Sequence, residues 1–386
     1  MPATKASPKK PAPRAPDLAA RRATLHRALA SQGLDAILVT NFNDVGYLSG
    51  FHGGDSYALL GPAIPRPVII SDFRYQEELA PLDRDWEVVI RTGPMTDAVI
   101  AKLAEARSET VGVQAESMTV GLMESLRSGC QKAGARTRFQ ATSGLLAAQR
   151  AVKDKHEIAL IRRAIAIQEA ALAETLRWIG RGVAKGTVSE LEIAGHLEWG
   201  MKSGGSPKPG FETIIAARGN GSHPHYRPGP AKLSRNQPLL VDWGATYAGY
   251  HGDMTRVFCW GKWPAKLARA YAIVLEAHEA AAAALKPGVS TREIDGIARG
   301  IITDAGFGEH FGHGLGHGIG LDGHEEPRLS HMAAGTALQP GHVVTIEPGI
   351  YVPGVGGIRI EDDYLITPGG AENLCSMPKD LAWATR

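Results

Sequence analysis

Between Asp17 and about Ala147 short apolar runs alternate with amphipathic stretches. Ala36–Val39, Pro67–Ile70, Val88–Ile90 and Val111–Val113 are rich in branched residues and predict strands. Asp97–Glu109 and Thr119–Ala133 carry apolar residues at helical spacing and predict helices. Strands separated by helices predict a small α/β domain over residues 17–147 with a largely parallel sheet.

A longer helical stripe follows, through Ile158, Ile161, Ile165, Leu172, Leu176 and Ile179, with Gly180 expected to end it. It marks the entry to a second domain, residues 148–386. There Thr187-Val-Ser-Glu190 reads as a capping box that opens a helical run to Gly204. A helix over Ala265–Leu285 precedes a second such pattern, Ser290-Thr-Arg-Glu293, and a run to Gly306. Each helix pair leads into strands, which predicts an α+β domain with an internal ααβ duplication and two sheets facing one another.

The 386 residues hold 42 Lys+Arg against 40 Asp+Glu, so no overall field draws the chain to nucleic acid or to a membrane. No apolar run is long enough to span a bilayer. Cys130, Cys259 and Cys375 are scattered and form no CxxC pair, which excludes a disulfide scaffold and a thiolate zinc site and fits a cytoplasmic, reducing setting. Residues 1–16 carry Lys5, Lys9, Lys10 and Arg14 among five prolines with no acid, and predict a disordered basic tail without the apolar core of a secretory signal.

The candidate chemistry lies in the second domain. Leu239-Leu-Val-Asp242-Trp reads as a strand, Gly244–Gly249 as a turn and Tyr250–Phe258 as the returning strand, so Asp242 and Asp253 are expected to face each other on a hairpin. One could cap the turn and the other be solvated. A second hairpin repeats the theme, with Glu347 after Val343-Val-Thr-Ile and Glu361 after Gly357-Ile-Arg-Ile, each among apolar residues. A lone carboxylate in such a run is costly to bury, whereas four can stay ionised by sharing cations. Hard oxygen ligands with one imidazole suit Mn²⁺, Co²⁺, Fe²⁺ or Zn²⁺, and two carboxylate pairs suggest a two-metal site. The imidazole is sought in Phe311–Arg328, where His313, His317 and His324 stand in a segment with glycine at every second position from Gly312 to Gly320. Such a segment is either a flexible loop or a strand that lets another backbone, a metal or a substrate approach closely. His223-Pro-His225-Tyr226 is a further candidate.

Taken together, Asp242, Asp253, His317, Glu347 and Glu361 resemble the five-ligand set of the pita-bread metallopeptidases. The Gly-rich histidine stretch, Thr345-Ile-Glu347-Pro-Gly, Arg359-Ile-Glu361-Asp and His225-Tyr226 resemble the Xaa-Pro dipeptidase (prolidase) and aminopeptidase P branch. Asn41-Phe-Asn-Asp-Val-Gly-Tyr47-Leu-Ser-Gly-Phe51 is similar to that branch's creatinase-like N-terminal domain, which methionine aminopeptidases lack. The likeness runs from about Asp17 to the C-terminus. Gly323, where relatives usually carry a branched residue, and the acidic Glu325-Glu326-Pro327 depart from the pattern.

The resemblance implies cleavage of the peptide bond before proline in Xaa-Pro dipeptides or peptide N-termini by a hydroxide held between two divalent ions, Mn²⁺ or Co²⁺ foremost. It implies that Asp242, Asp253, His317, Glu347 and Glu361 hold the metals. Glu347 would also shuttle the proton, His324 and His225 would hold the substrate carbonyl, and His313, Arg328 and Arg359 would bind substrate. Arg328 would receive the carboxylate of a dipeptide, unless it is spent on Glu325 or Glu326. A small proline-containing peptide as substrate and a homodimer follow from the same likeness, with neither nucleic acid nor membrane as partner. Aminopeptidase P activity on longer peptides and a metal-dependent lyase of a small sulfonium acid are the alternatives. A metal-free creatinase-type hydrolase and a binding module built on a dead peptidase would each have lost ligands that are intact here.

Overall fold

The computed structural model describes residues 15–183 and 187–386; the expected basic tail, up to Arg14, lies outside the described residues. Two compact units are formed, Pro16–Gln149 and Arg150–Arg386. Among the described residues no helix is long and apolar enough to cross a membrane.

The first unit is a six-stranded sheet, ordered β4-β3-β2-β1-β5-β6, built from β1 (Ala36–Val39), β2 (Tyr57–Leu60), β3 (Val68–Asp72), β4 (Glu87–Arg91), β5 (Thr110–Gln114) and β6 (Arg138–Thr142). Pairs β1/β5, β5/β6 and β3/β4 are parallel, while β2 is antiparallel to both neighbours. The helices are α1 (Leu18–Ser31), α2 (Phe42–Ser49), α3 (Gln76–Leu79), α4 (Met95–Ala106), α5 (Val120–Lys132) and α6 (Leu145–Ala151), which runs into the second unit. The Asn41–Phe51 motif is α2 with its two stops. Asn41 caps it by accepting from the Asp44 N–H, and Gly50 ends it in the left-handed region. Tyr57–Leu60 and the largely exposed Arg138–Thr142 are strands beyond those the pattern predicts.

In the second unit α7 (Lys155–Val183) overruns Gly180. Glycine costs a helix interior about 1 kcal/mol, less than the burial of Leu172, Leu176 and Ile179 returns. At α8 (Glu190–Ser203) the capping box is Ser189 with Glu192, two residues beyond the expected start. Glu190 is the first helical residue and is wholly buried. At α10 (Thr291–Asp304), which follows α9 (Ala265–Ala283), Ser290 does cap, but it accepts from the Arg292 N–H without a reciprocal bond from Glu293.

Antiparallel β7 (Ile214–Ala217), β8 (Pro238–Trp243) and β11 (Met254–Cys259) make one sheet. The turn between β8 and β11 is itself a small hairpin, β9 (Thr246–Tyr247) with β10 (Tyr250–His251), closed by Ala248 and Gly249, both with positive φ. Strands β12 (Gly316–Gly318), β13 (Glu325–Leu329), β14 (Val343–Ile346), β17 (Asp362–Thr367) and β18 (Gly370–Asn373) make the other sheet, and β15 (Gly349–Val352) pairs with β16 (Gly356–Arg359). A short helix, α11 (Leu381–Ala384), closes the chain.

Strand alternation sorts β8. Leu239, Val241 and Trp243 pack with α7 and α8, whereas Leu240 joins the cluster formed by α9, α10 and the second sheet. Asp242 shares the parity of Leu240, and Asp253 that of Val257 on β11. Both acids are thereby carried to the interior face.

Candidate metal centre and cleft

Asp242 and Asp253 are diagonal rather than face to face. Asp242 pairs with Thr255, and the ladder ends at Trp243 and Met254, one residue short of Asp253. The second pair occupies a break in a longer hairpin. Ile346 pairs with Asp362 on one side and Gly349 with Arg359 on the other, in one register. Between them lie Glu347-Pro348 and Ile360-Glu361, where Pro348 has no N–H to offer the ladder. The two glutamates therefore sit between strands instead of on them. A bridge from Glu361 to Thr255 joins this break to β11 and brings all four acids together.

Glycine makes room for the imidazole. A Cβ on Gly316 would overlap the Thr345 carbonyl, and one on Gly318 would overlap that of Glu326, so β12 can lie between β13 and β14 only without side chains there. The segment is thus a strand and not a flexible loop. Thr345 Oγ1 accepts from the His317 N–H at 3.1 Å. His317 Nδ1 lies 3.0 Å from the Gly318 carbonyl, which can only accept, so the ring proton is on Nδ1. The unprotonated Nε2 then faces Glu347 Oε1 at 3.4 Å and Asp253 Oδ2 at 3.8 Å. Burial, assisted by His324, holds the ring near a pKa of about 3, so it is neutral.

A lone pair aimed at carboxylate oxygens repels them unless a proton or a cation lies between. Ligand atoms of Asp253, His317 and Glu361 all fall within 4.8 Å of one another. Asp242 Oδ1 is buried without a hydrogen-bond partner among the described residues. Burial, then mutual repulsion, pushes Asp253 and Glu347 well above the ordinary carboxyl range and Glu361 up to about 8; burial also raises Asp242. Oxygen-rich donors with one imidazole held by a backbone carbonyl fit divalent transition ions.

Around the acids lies a hydrogen-bonded surround. Arg359 bonds to Asp242 Oδ2, to Thr255 Oγ1 at 2.9 Å and to the Tyr351 hydroxyl at 2.8 Å. Thr255 in turn donates to Glu361 Oε2 at 2.6 Å. Asp363 Oδ2 accepts from the Asp253 N–H at 3.0 Å. His313 is spent on both nitrogens, Nδ1 to the Gly314 carbonyl at 2.7 Å and Nε2 to Tyr351 at 2.9 Å. Burial, then Arg359, lowers it to about 4.

These groups open onto one cleft of about 570 Å³. Its walls include all ten residues singled out in the sequence: Asp242, Asp253, His317, Glu347 and Glu361, with His225, His313, His324, Arg328 and Arg359. Phe211, Ile214, Tyr226 and Met332 add apolar surface. The His324 ring lies 4.0 Å from that of His317, centroid to centroid. Glu325 is committed elsewhere, to Arg150 and to Lys153 Nζ at 2.9 Å; against its burial these two hold its carboxyl at about 2.

Residues 159–368 match the model of metallopeptidase family M24, and residues 21–152 that of the creatinase/prolidase N-terminal domain. The chain belongs to family M24. An uncharacterised peptidase of Bacillus subtilis, YqhT, is 31% identical over 357 residues, 92% of this chain and 98% of that protein. The structure of an Xaa-Pro dipeptidase from Bacillus anthracis is 34% identical with a TM-score of 0.88, over 95% of this chain and 99% of that one. An X-Pro aminopeptidase from Thermotoga maritima is 33% identical with a TM-score of 0.81, over 92% and 99%. The M24 chain thus has the creatinase-type α/β domain followed by the pita-bread domain, and is a metallopeptidase of a family that uses divalent metal.

Several residues of this M24 site are absent from the sequence reading. Thr255 is invisible to a search for charged groups, although it stands two residues from Asp253 on the same strand face. Tyr351 carries no motif of its own, and its importance comes from bonds to Arg359 and His313. Arg359, read in sequence as a substrate group, has its guanidinium engaged with protein groups and is almost fully buried.

Proposed function

We propose that the chain hydrolyses Xaa-Pro dipeptides with two divalent cations held by Asp242, Asp253, His317, Glu347 and Glu361. The observation that carries the dipeptide reading is the state of Arg328. Its guanidinium stands in the cleft wall without a hydrogen bond or ion pair among the described residues; only its backbone N–H is engaged, with Glu326 Oε2. Glu325, the acid that could have neutralised it, is locked to Arg150 and Lys153. A guanidinium left in this way is suited to a free carboxylate in fork geometry. The names of the relatives from Bacillus anthracis and Thermotoga maritima support proline-directed peptidase chemistry.

When bound, the cations supply Lewis acidity and a nucleophilic water near neutral pH. Glu347 would hold a proton on its carboxylate and deliver it to the leaving prolyl nitrogen. His324 and His225 donate to the carbonyl oxygen as charge gathers on it. Arg328 fixes the C-terminal carboxylate. Arg359 keeps Asp242 oriented and favours its ionised form against burial through its direct bond, and His313 supports Arg359 through Tyr351.

The test is a panel of Xaa-Pro dipeptides and Xaa-Pro-Yaa tripeptides offered to Mn²⁺- or Co²⁺-reconstituted protein, with metal content measured in parallel. Two equivalents of metal and faster cleavage of dipeptides are expected. Equal or better cleavage of tripeptides moves the assignment to aminopeptidase P, and full activity after exhaustive chelation refutes the metal reading.

A further inference from the structure

The segment between β7 and β8 carries His225 and Tyr226 into the cleft, yet residues 223–230 belong to no strand or helix. Backbone bonds hold part of it, the Leu191 N–H donating to the Gly229 carbonyl at 3.1 Å, and Arg359 reaches the Pro224 carbonyl at 3.5 Å, but one carboxylate gathers it at several points. Glu190, fully buried at the first position of α8, accepts four hydrogen bonds from the stretch between Ala217, the last residue of β7, and Gly229. Oε1 accepts from the Ala217 N–H at 2.7 Å and from Asn220 Nδ2 at 2.8 Å. Oε2 accepts from the Tyr226 hydroxyl and the Gly229 N–H, both at 3.0 Å. Asn220 Nδ2 also donates to the Tyr226 hydroxyl at 2.9 Å, closing a ring of three side chains.

The donors are spread from the end of β7 through Asn220 and Tyr226 to Gly229. Four donors match the acceptor capacity of an ionised carboxylate, and no cation is among them. The helix N-terminus adds its own positive potential. An amide at this position would turn one acceptor oxygen into a donor facing two donors, so only an acid satisfies the whole set.

We propose that Glu190 is a positioning residue for the peptidase reaction, acting through the segment that presents His225. The inference rests on the role given to His225 above. Displacement of a substrate-orienting group by about 1 Å costs on the order of a hundredfold in rate, so Glu190→Gln is expected to lower kcat/KM by roughly ten- to a hundredfold. Metal affinity is expected to stay within about twofold, because none of the five metal-site residues lies in the segment. His225→Ala should mask the effect. Adding Glu190→Gln to His225→Ala should then cost no more than about twofold, as expected when one residue acts through another.

Hydrogen exchange supplies a readout independent of turnover. The amides of Ala217 and Gly229 should lose protection in Glu190→Gln while those of β8 and β14 keep theirs. Losses that simply multiply in the double variant, parallel loss of metal affinity, or unchanged exchange at Ala217 and Gly229 would each overturn the proposal. If Glu190→Gln does not fold, Asn220→Ala, which removes two bonds of the ring, goes through the same cycle and exchange measurement with the same deciding outcomes. Failure of the unmodified protein to cleave any Xaa-Pro dipeptide would refute the substrate reading instead, and exchange alone would then decide whether Glu190 holds the segment.

Discussion

Metal loading of the stripped protein at neutral pH should expel protons. Burial and the neighbouring Asp242 hold Glu361 at about 8, so at pH 7 it retains about 0.9 proton when no cation is present. Asp253 and Glu347 lie well above their ordinary values and add to that number. A cation needs these oxygens deprotonated, so binding should release at least about one proton per chain at pH 7. The same shift has a stability consequence. A carboxyl whose folded pKa exceeds its unfolded value binds more protons folded than unfolded, so its contribution falls as pH rises, for Glu361 between about 4.5 and 8.

Histidines act in the opposite sense. His278 and His317, lowered to about 3, and His313 and His342, lowered to about 4, all by burial first, make stability rise with pH up to about 6.5. That rise tails off gradually, since an unfolded imidazole is still half protonated at pH 6.5, so each of the four adds about 0.4 kcal/mol between pH 6.5 and 8. With ~1.36 kcal/mol per pH unit per proton, Glu361 alone should cost the metal-free protein about 1.5 kcal/mol over the same range. Titration calorimetry with Mn²⁺ in two buffers of different ionisation heat counts the protons, and urea unfolding at both pH values, with and without Mn²⁺, reads the stability. Release below about 0.3 proton at pH 7, or a metal-free Glu361→Gln variant whose stability changes from pH 6.5 to 8 by the same amount as that of the unmodified protein, would refute the reasoning.

Three further outcomes are expected. Arg328→Ala should raise KM for a Xaa-Pro dipeptide by roughly ten- to a hundredfold, the loss of a charge-assisted bond, and narrow the gap between dipeptide and tripeptide; steady-state kinetics on both lengths would show it, and an unchanged gap would count against the carboxylate role. Glu347→Gln should lower turnover by several orders of magnitude, whereas His324→Ala should cost about 10²–10³; rates at saturating metal would reverse the two roles if their order were reversed. Gly316→Ala forces a Cβ onto the Thr345 carbonyl, and overpacking of this kind costs about 1–3 kcal/mol; thermal unfolding should register it together with weaker metal binding, since His317 is the next residue.

Much of the site could be read in the chain because it violates the usual rules of burial. Asp242, Asp253, Glu347 and Glu361 stand in apolar runs where an unpaired acid is improbable. Glycines at alternate positions around His317 predicted close approach, and the overlaps at Gly316 and Gly318 are that approach. The helix pairs, too, could be read from their spacing and caps. Local reading failed where a distant partner intervened: Gly180 is carried inside α7 by tertiary burial of Leu172, Leu176 and Ile179.

The sequence by itself determined which residue types could gather cations, because the cost of burying charge is a local property of the chain. Only the tertiary structure decided how those residues are held. Glu190 meets donors 27 to 39 positions away. Arg359 meets Asp242 across 117 positions and Thr255 across 104, and Glu325 is taken from Arg328 by Arg150 and Lys153 more than 170 positions upstream. Hydrogen-bond satisfaction in a buried site is set by which donors fold into reach, and that depends on the packing of whole elements, which no spacing along the chain encodes.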